Sequence, residues 1–245
     1  MSEPVIIAND VSIGWSPDKH LVDHATFTVE RGEVFGILGR SASGKSTLMR
    51  ALIGLDLPLA GTILVEGHPP ALSTERPRYG VMFQQGALIG SQTVGQNIAL
   101  PLETWTDLPR DAIRAVAHAK LRLVGLASAI DKTPAELSGG MRKRAAIARA
   151  LALDPSLVFL DEPSSGLDPI TSAEIDNLIR TLADHHQLTV VLVTHELGSI
   201  ETIVDRCIML DHIHHRIAAT GTPDELVHHP DPMVANFFTR TAEAA

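Results

Sequence analysis

Short apolar runs alternate with longer stretches of helical spacing along this chain. Mostly apolar runs of four or five residues lie at 5–8, 26–29, 34–38, 62–65, 80–83, 157–160 and 189–193. Their length, flanked by polar residues and glycines, predicts β-strands. The last two are apolar almost throughout, the pattern of strands covered on both faces. Helices announce themselves by caps as well as by period. Thr171 and Glu174 have the spacing of a capping box, and Ile175, Leu178, Ile179 and Leu182 then recur at i, i+3, i+4 and i+7, which predicts a helix opening at Thr171 with one face in a core. Thr222, Pro223 and Glu225 predict a second helix start, with proline in the first turn and acids at the positive end. From 91 to 153 the strand signals vanish while helical spacing persists, as in Ile113, Ala117, Leu121 and Val124. The alternation predicts an α/β fold with a mostly parallel central sheet, and 91–150 reads as a helical sub-domain inserted into it. The core is then 1–90 with 151–245, and the whole chain, 1–245, is a single domain.

Composition narrows the class. A chain of 245 residues with 44% hydrophobic residues has enough volume to bury a core without disulfides or metal. The formal charge of −9 repels phosphate backbones and argues against a nucleic-acid partner. Six phenylalanines, two tryptophans and one tyrosine are too few for a base-stacking platform. The lone Cys207 excludes an intrachain disulfide framework and reads as a small buried hydrophobe. No apolar run approaches the ~20 residues of a membrane helix, and the amino terminus lacks a secretory pattern. The expectation is a soluble, cytoplasmic chain that reaches a membrane only through a partner.

The strongest chemical signal is Gly39, Arg40, Ser41, Ala42, Ser43, Gly44, Lys45, Ser46, followed by Thr47. It has the two glycines, lysine and hydroxyl of a phosphate-binding loop, with a predicted strand before it and an apolar-periodic helix (Leu48, Leu52, Ile53) after it. Glycines let backbone amides wrap phosphate oxygens, Lys45 supplies a point charge, and Ser46 offers a ligand to Mg²⁺. The strand 157–160 ends in Asp161 and Glu162. Two acids at a buried strand end need a cation or a task; Asp161 is placed to hold the metal and Glu162 to polarise the attacking water. Ser138, Gly139 and Gly140 precede a helix carrying Arg142, Lys143 and Arg144. A capping serine and two glycines leave open amides there, a second anion site.

This set of phosphate loop, Leu-Ser-Gly-Gly element, acidic pair and the lone His195 after the next strand resembles the ATPase subunit of ABC transporters over essentially the whole chain. The resemblance implies a P-loop NTPase core, an ABC-type antiparallel β sub-domain and the inserted helical sub-domain. It implies ATP and Mg²⁺ as ligands, with Ser46, Gln84 and Asp161 around the metal. It places Trp15 against adenine, Gln84 near the attacking water with Gln85 as the adjacent register, His195 at the γ-phosphate, and Ser165 and Asp168 in a loop that crosses to a second subunit. In this family Ser138, Gly139 and Gly140 of one copy close on the phosphate loop of the other, so the partners implied are a second copy and an integral-membrane permease.

Among such ATPases the runs 82–89, 93–94 and 97–102, the segment 137–155 and residues 168–171 look most like the Mla-type subunits. That implies a lipid cargo, an MCE-domain lipid-binding protein among the partners, and a position on the inner membrane through the permease. Ile89 departs from that group, which tends to have phenylalanine there. Another importer or exporter, or a regulatory ABC ATPase, is the alternative. The histidines at 212, 214, 215, 228 and 229 lack a paired cluster of metal-ligand spacing. The basic trio Arg142, Lys143 and Arg144 reads as a solvated helix face or an inter-subunit contact.

Overall fold

The computed structural model describes residues 4–16, 18–70 and 76–239. In chain order the strands are β1 (Ile6–Ser16), β2 (Lys19–Val29), β3 (Val34–Gly39), β4 (Ala60–Val65), β5 (Gly80–Met82), β6 (Leu157–Asp161), β7 (Thr189–Val193), β8 (Arg206–Asp211) and β9 (Arg216–Gly221). The helices are α1 (Lys45–Leu52), α2 (Val94–Trp105), α3 (Arg110–Leu123), α4 (Gly139–Ala150), α5 (Pro169–His186), α6 (Leu197–Ile203), α7 (Pro223–Val227) and α8 (Pro232–Thr239). The fold is α/β, and the chain divides into two compact units, Met1–Leu72 with Thr189–Ala245, and Ser73–Leu188.

In the first unit β1 lies between β2 and β4, antiparallel to both. The second sheet of this unit is built around β3, which runs parallel to β7 on one side and to β8 on the other. Val34, Phe35, Ile37 and Leu38 have no exposed surface, and neither do Val190 to Val193 of β7. Such strands are buried on both faces, which is why their sequences do not alternate. Phe27 stacks on Phe35 at 5.7 Å between ring centres, and Arg206 caps that ring at 5.2 Å while its guanidinium donates to Glu33 at 2.9 Å.

The second unit holds the parallel pair β5 and β6 with α2 to α5. Ile113, Ala117 and Leu121 of α3 are buried, as the helical spacing requires. In α5 Ile175, Ile179 and Leu182 are buried likewise. The helix opens earlier than Thr171, however. Asp168 is the cap, its carboxylate accepting from the amides of Ile170 and Thr171 at 3.1 Å each, and the Thr171 hydroxyl donates back to it at 2.6 Å. Pro169 at the first helical position presets the backbone angle and needs no amide partner, so the stronger Asp-Pro start displaces the capping box. Glu174 is left to pair with Arg144 at 2.8 Å. The helix at Thr222 does open on a capping box.

β8 and β9 were not marked by the apolar runs. Their antiparallel turn is organised by Asp211, which accepts from the amides of Ile213 and His214 at 2.8 and 3.2 Å, with the His214 ring 2.6 Å from its other oxygen. Burial pushes this carboxyl up, but the His214 ring and the two amides outweigh it and hold it below the usual carboxylate range. His214 thus has a structural partner. Among the described residues no group of three or more His, Cys, Asp or Glu side chains is placed to hold a metal, and no helix is long and apolar enough to cross a membrane.

Cys207 has no exposed surface, and burial pushes its thiol up to about 12 from the ordinary 9.0. The folded protein should therefore resist thiol reagents at pH 8, reacting only as denaturant unfolds it; rapid modification under native conditions would contradict this placement. The linkage has a definite sign. Between pH 9 and 12 the unfolded chain has lost this proton and the folded chain keeps it, so stability contributed by Cys207 falls as pH rises through that window. Cys207→Ser in denaturant melts at pH 8 and pH 10 should show a smaller alkaline loss than the parent.

Candidate functional site

The first unit carries the phosphate loop between β3 and α1. Gly39 has φ 146°, Ala42 63° and Gly44 95°, left-handed values that glycine adopts without strain and alanine only at a cost. At Gly39 the reason is also steric. A Cβ there would lie 2.6 Å from Ser43 Oγ and 3.0 Å from the Leu210 carbonyl. Arg40, Ser41, Ala42 and Ser46 are exposed, Thr47 is half-buried, and Ser43 and Lys45 are buried. Lys45 Nζ donates to the carbonyls of Gly39 at 2.9 Å and Arg40 at 3.0 Å. The ammonium is thus held over the loop, where α1 also directs its amino terminus.

His195 leaves the same edge of this sheet. Ile37 pairs with Val193 in the parallel ladder, and the Thr194 amide donates to the Ile37 carbonyl at 3.4 Å. Gly39 and His195 each lie two residues beyond that pair, at the carboxyl ends of neighbouring parallel strands, where open α/β sheets bind ligands. His195 is exposed. Trp15 is 76% exposed, so its ring is an uncovered flat face and not part of the core. Beside it Gly14 allows β1 and β2 to approach, since a Cβ there would meet the Lys19 carbonyl at 2.2 Å.

The second unit places the remaining residues in one cluster. Met82 pairs with Leu160 in the parallel pair β5 and β6, so Gln84 and Glu162, each two residues further, leave adjacent strand ends. Asp161 and Glu162 are both 6% exposed, and Glu162 sits at φ 50°. Gln84 and Gln85 are exposed. Ser138 caps α4, its hydroxyl accepting from the Met141 amide at 3.3 Å. Gly139 and Gly140 face the loop after β6. A Cβ on Gly139 would lie 3.0 Å from Leu167, and one on Gly140 2.4 Å from Thr171, whose hydroxyl is already engaged by Asp168. The serine-glycine element and the Ser165 to Asp168 loop are in van der Waals contact. Hydrogen bonds from Thr171 and from the Ile170 amide hold the Asp168 carboxyl below its usual range.

Three residues whose partners the sequence does not reveal shape this unit. Asn97, fully buried in α2, accepts from the Ile89 amide at 2.7 Å and donates to the carbonyls of Ile89 at 3.1 Å and Thr93 at 2.9 Å. Arg149 of α4 donates to the carbonyls of Gly86 at 3.0 Å and Ala87 at 2.7 Å. Lys143 of the same helix donates to the carbonyls of Gln84 at 2.6 Å and Glu162 at 2.8 Å. Within the basic trio only Arg142 is exposed, though it donates to the Leu137 carbonyl at 3.2 Å; Lys143 and Arg144 are half-buried, Arg144 donating to the Val124 carbonyl at 3.3 Å, so those two do not form a solvated face. The signal was available, since Lys143 lies three residues after Gly140 and four before Ile147, both buried, on a helix face where a cation must find partners.

The donor types suit the ligands. Looped amides with a lysine fit a polyphosphate, and the Ser46 hydroxyl, Asp161 carboxylate and Gln84 amide are oxygen donors of the kind Mg²⁺ takes. The family model described as ABC transporter matches residues 22–165. A methionine import ATP-binding protein, MetN, of Caulobacter vibrioides is 38% identical over 246 residues, covering 98% of this chain and 73% of that protein. A probable ribonucleotide transport ATP-binding protein, mkl, of Mycobacterium bovis is 39% identical over 222 residues, covering 88% of this chain and 61% of that protein. The ATP-binding cassette MJ0796, solved as a dimer in a post-hydrolysis state with ADP and Pi, superposes with a TM-score of 0.79 at 26% identity, covering 89% of this chain and 98% of that one. The chain belongs to the ABC transporter family, as an ATP-binding subunit that hydrolyses ATP.

Proposed function

We propose that this chain powers a membrane lipid transport complex by ATP-driven pairing of two copies on a permease. ATP lies on the phosphate loop of one copy and under Ser138, Gly139 and Gly140 of the other. The loop amides and Lys45 bind its phosphates, and Trp15 stacks on adenine with its exposed ring. Ser46, Gln84 and Asp161 hold Mg²⁺, which when bound neutralises charge on the β and γ phosphates. Glu162 accepts a proton from the attacking water as its oxygen bonds to the γ phosphorus and the bond to the bridging oxygen breaks. Gln84 and His195 orient that water and the γ-phosphate. Ser165 and Asp168 contact the second copy. The oxyanion charge is met by the partner's helix end, in place of an arginine finger.

The observation that carries the cargo reading is the element Gly86-Ala87-Leu88 with Met141 after the double glycine, which resembles the Mla-type subunits and implies an MCE-domain partner. Its surroundings suit a docking surface, for the segment is pinned by Arg149 and Asn97 and leaves Ile89 38% exposed. A second reading, an importer of a small polar solute, is favoured by the names of the relatives, a methionine importer and a probable ribonucleotide transporter.

Purification of the native complex in detergent separates the two. An MCE-domain protein and bound phospholipid, identified by mass spectrometry, are expected; a periplasmic solute receptor without phospholipid would replace the lipid reading with the importer. Within the complex, Leu88→Asp or Ile89→Asp should release the ATPase from the permease, because an unpaired carboxylate in an apolar contact costs several kcal/mol. Hydrolysis by the released subunit should persist, and a complex that stays intact would move the docking surface elsewhere.

A further inference from the structure

Lys143 reaches three parts of the second unit that the proposed mechanism keeps separate. Its ammonium donates to the Gln84 carbonyl at 2.6 Å, to the Glu162 carbonyl at 2.8 Å and to Ser165 Oγ at 3.4 Å. The Glu162 carbonyl is the hub. It also accepts from the Ser165 hydroxyl at 2.9 Å and the Ser165 amide at 3.3 Å. Three donors therefore converge on the main chain of a non-glycine residue at φ 50°, a left-handed conformation that persists only where its surroundings hold it. Lys143 also borders a cleft lined with it by Gln85, Gly86, Gly139, Arg142, Ser165 and Leu167, and so shares that cleft with the serine-glycine element that starts its own helix.

We infer that Lys143 is a positioning residue for hydrolysis, its ammonium fixing the Gln84 turn and the Glu162 peptide relative to each other and to Ser165. A charged donor makes short, strong bonds to carbonyls, and here it bridges the ends of two parallel strands whose next residues supply the water-directing groups. With the ammonium removed, the Glu162 peptide keeps the Ser165 donors but loses its tie to Gln84. The two side chains then sample independent positions, and errors of about 1 Å in such groups lower turnover by as much as 10²-fold. Nucleotide affinity depends on the phosphate loop and is not touched by Lys143 in this scheme. The inference rests on the proposed role of Glu162, and its test is arranged so that the two can fail separately.

The full chain is compared as wild type, Lys143→Met, Lys143→Arg and Glu162→Gln, each measured for kcat and KM with MgATP and for amide exchange by mass spectrometry. Lys143→Met should lower kcat about 10- to 100-fold with KM within about threefold, and should speed exchange in 84–87 and 162–166. Lys143→Arg, which keeps the charge and the donors, should restore both. Wild-type kcat in folded Lys143→Met overturns the inference, as does a fall in kcat with unchanged exchange in those segments and no rescue by arginine. If Lys143→Met does not fold, Lys143→Gln takes its place, with a smaller fall expected and wild-type kcat again decisive against the inference. Active Glu162→Gln would remove the catalytic role of Glu162 alone, while exchange in the lysine variants still decides whether Lys143 ties the two segments.

Discussion

Glu162→Gln should lower ATP hydrolysis by about 10² to 10⁴ while leaving ATP binding intact and accumulating a dimer in the presence of ATP. Glutamine has the same length as glutamate and can occupy the same 6% exposed position at the end of β6, so the fold has no reason to change. What it lacks is the basic oxygen that is proposed to take the water proton, a need that arises only as water attacks. Lys45→Ala should behave in the opposite way. Its ammonium is held by the Gly39 and Arg40 carbonyls over the phosphate loop, where it contributes charge to the bound ground state, so binding itself should be lost. Equilibrium binding of labelled ATP, size-exclusion chromatography with ATP, and phosphate release together separate the two outcomes. Retention of more than about a tenth of the wild-type rate in Glu162→Gln would remove that residue from the proton transfer.

A mixture of two inactive variants should regain activity. Lys45→Ala disables the phosphate loop, and Ser138→Arg places a bulky cation at the amino terminus of α4, where the partner's nucleotide is proposed to sit. In a mixed dimer one site carries both lesions and the other carries neither. If the sites fire independently, random pairing makes half the dimers mixed with one intact site each, and about a quarter of the wild-type rate should return. The arginine removes the Ser138 cap to the Met141 amide, a loss of about 1 kcal/mol. Helix α4 should survive it, because Ala145, Ala146, Ile147 and Ala148 are buried in packing that the cap does not control. Phosphate release after mixing, with mixed dimers verified by native mass spectrometry, is the measurement. Full activity of either variant as a dilute monomer would exclude the composite site.

The phosphate loop was legible because its chemistry is local: glycines, lysine and hydroxyl occupy consecutive positions, and the φ values at Gly39 and Gly44 are what those residue types are for. Strands β3, β6 and β7 were legible because burial on both faces leaves continuous apolar runs. β9 was not, since only Ala219 of its six residues is buried and a half-exposed edge strand has no strong pattern. The start of α5 was misplaced because two cap signals overlap, and three hydrogen bonds to Asp168 outweigh the box at Thr171. Lys143, Arg149 and Asn97 stayed hidden for a different reason. Lys143 and Arg149 serve main-chain carbonyls 19 to 63 residues away and Asn97 those 4 to 8 residues away, and a carbonyl has no residue-type signature. The partners of Lys143 and Arg149 become visible only when α4 is brought against the segments that follow β5 and β6.

The hold that Asn97 keeps on the segment before α2 separates shape from identity. Every hydrogen bond its side chain makes there, to the Ile89 amide and carbonyl and to the carbonyls of Gln92 and Thr93, ends on a main-chain atom. Asn97 therefore holds the course of that loop without reading the side chains at 89 and 91, which are exposed. One fully buried amide provides a reusable mount, on which those two side chains can diversify to match different partners, such as the proposed permease, while the anchored backbone keeps its course. Divergence in partner choice then requires no redesign of the machinery that consumes ATP.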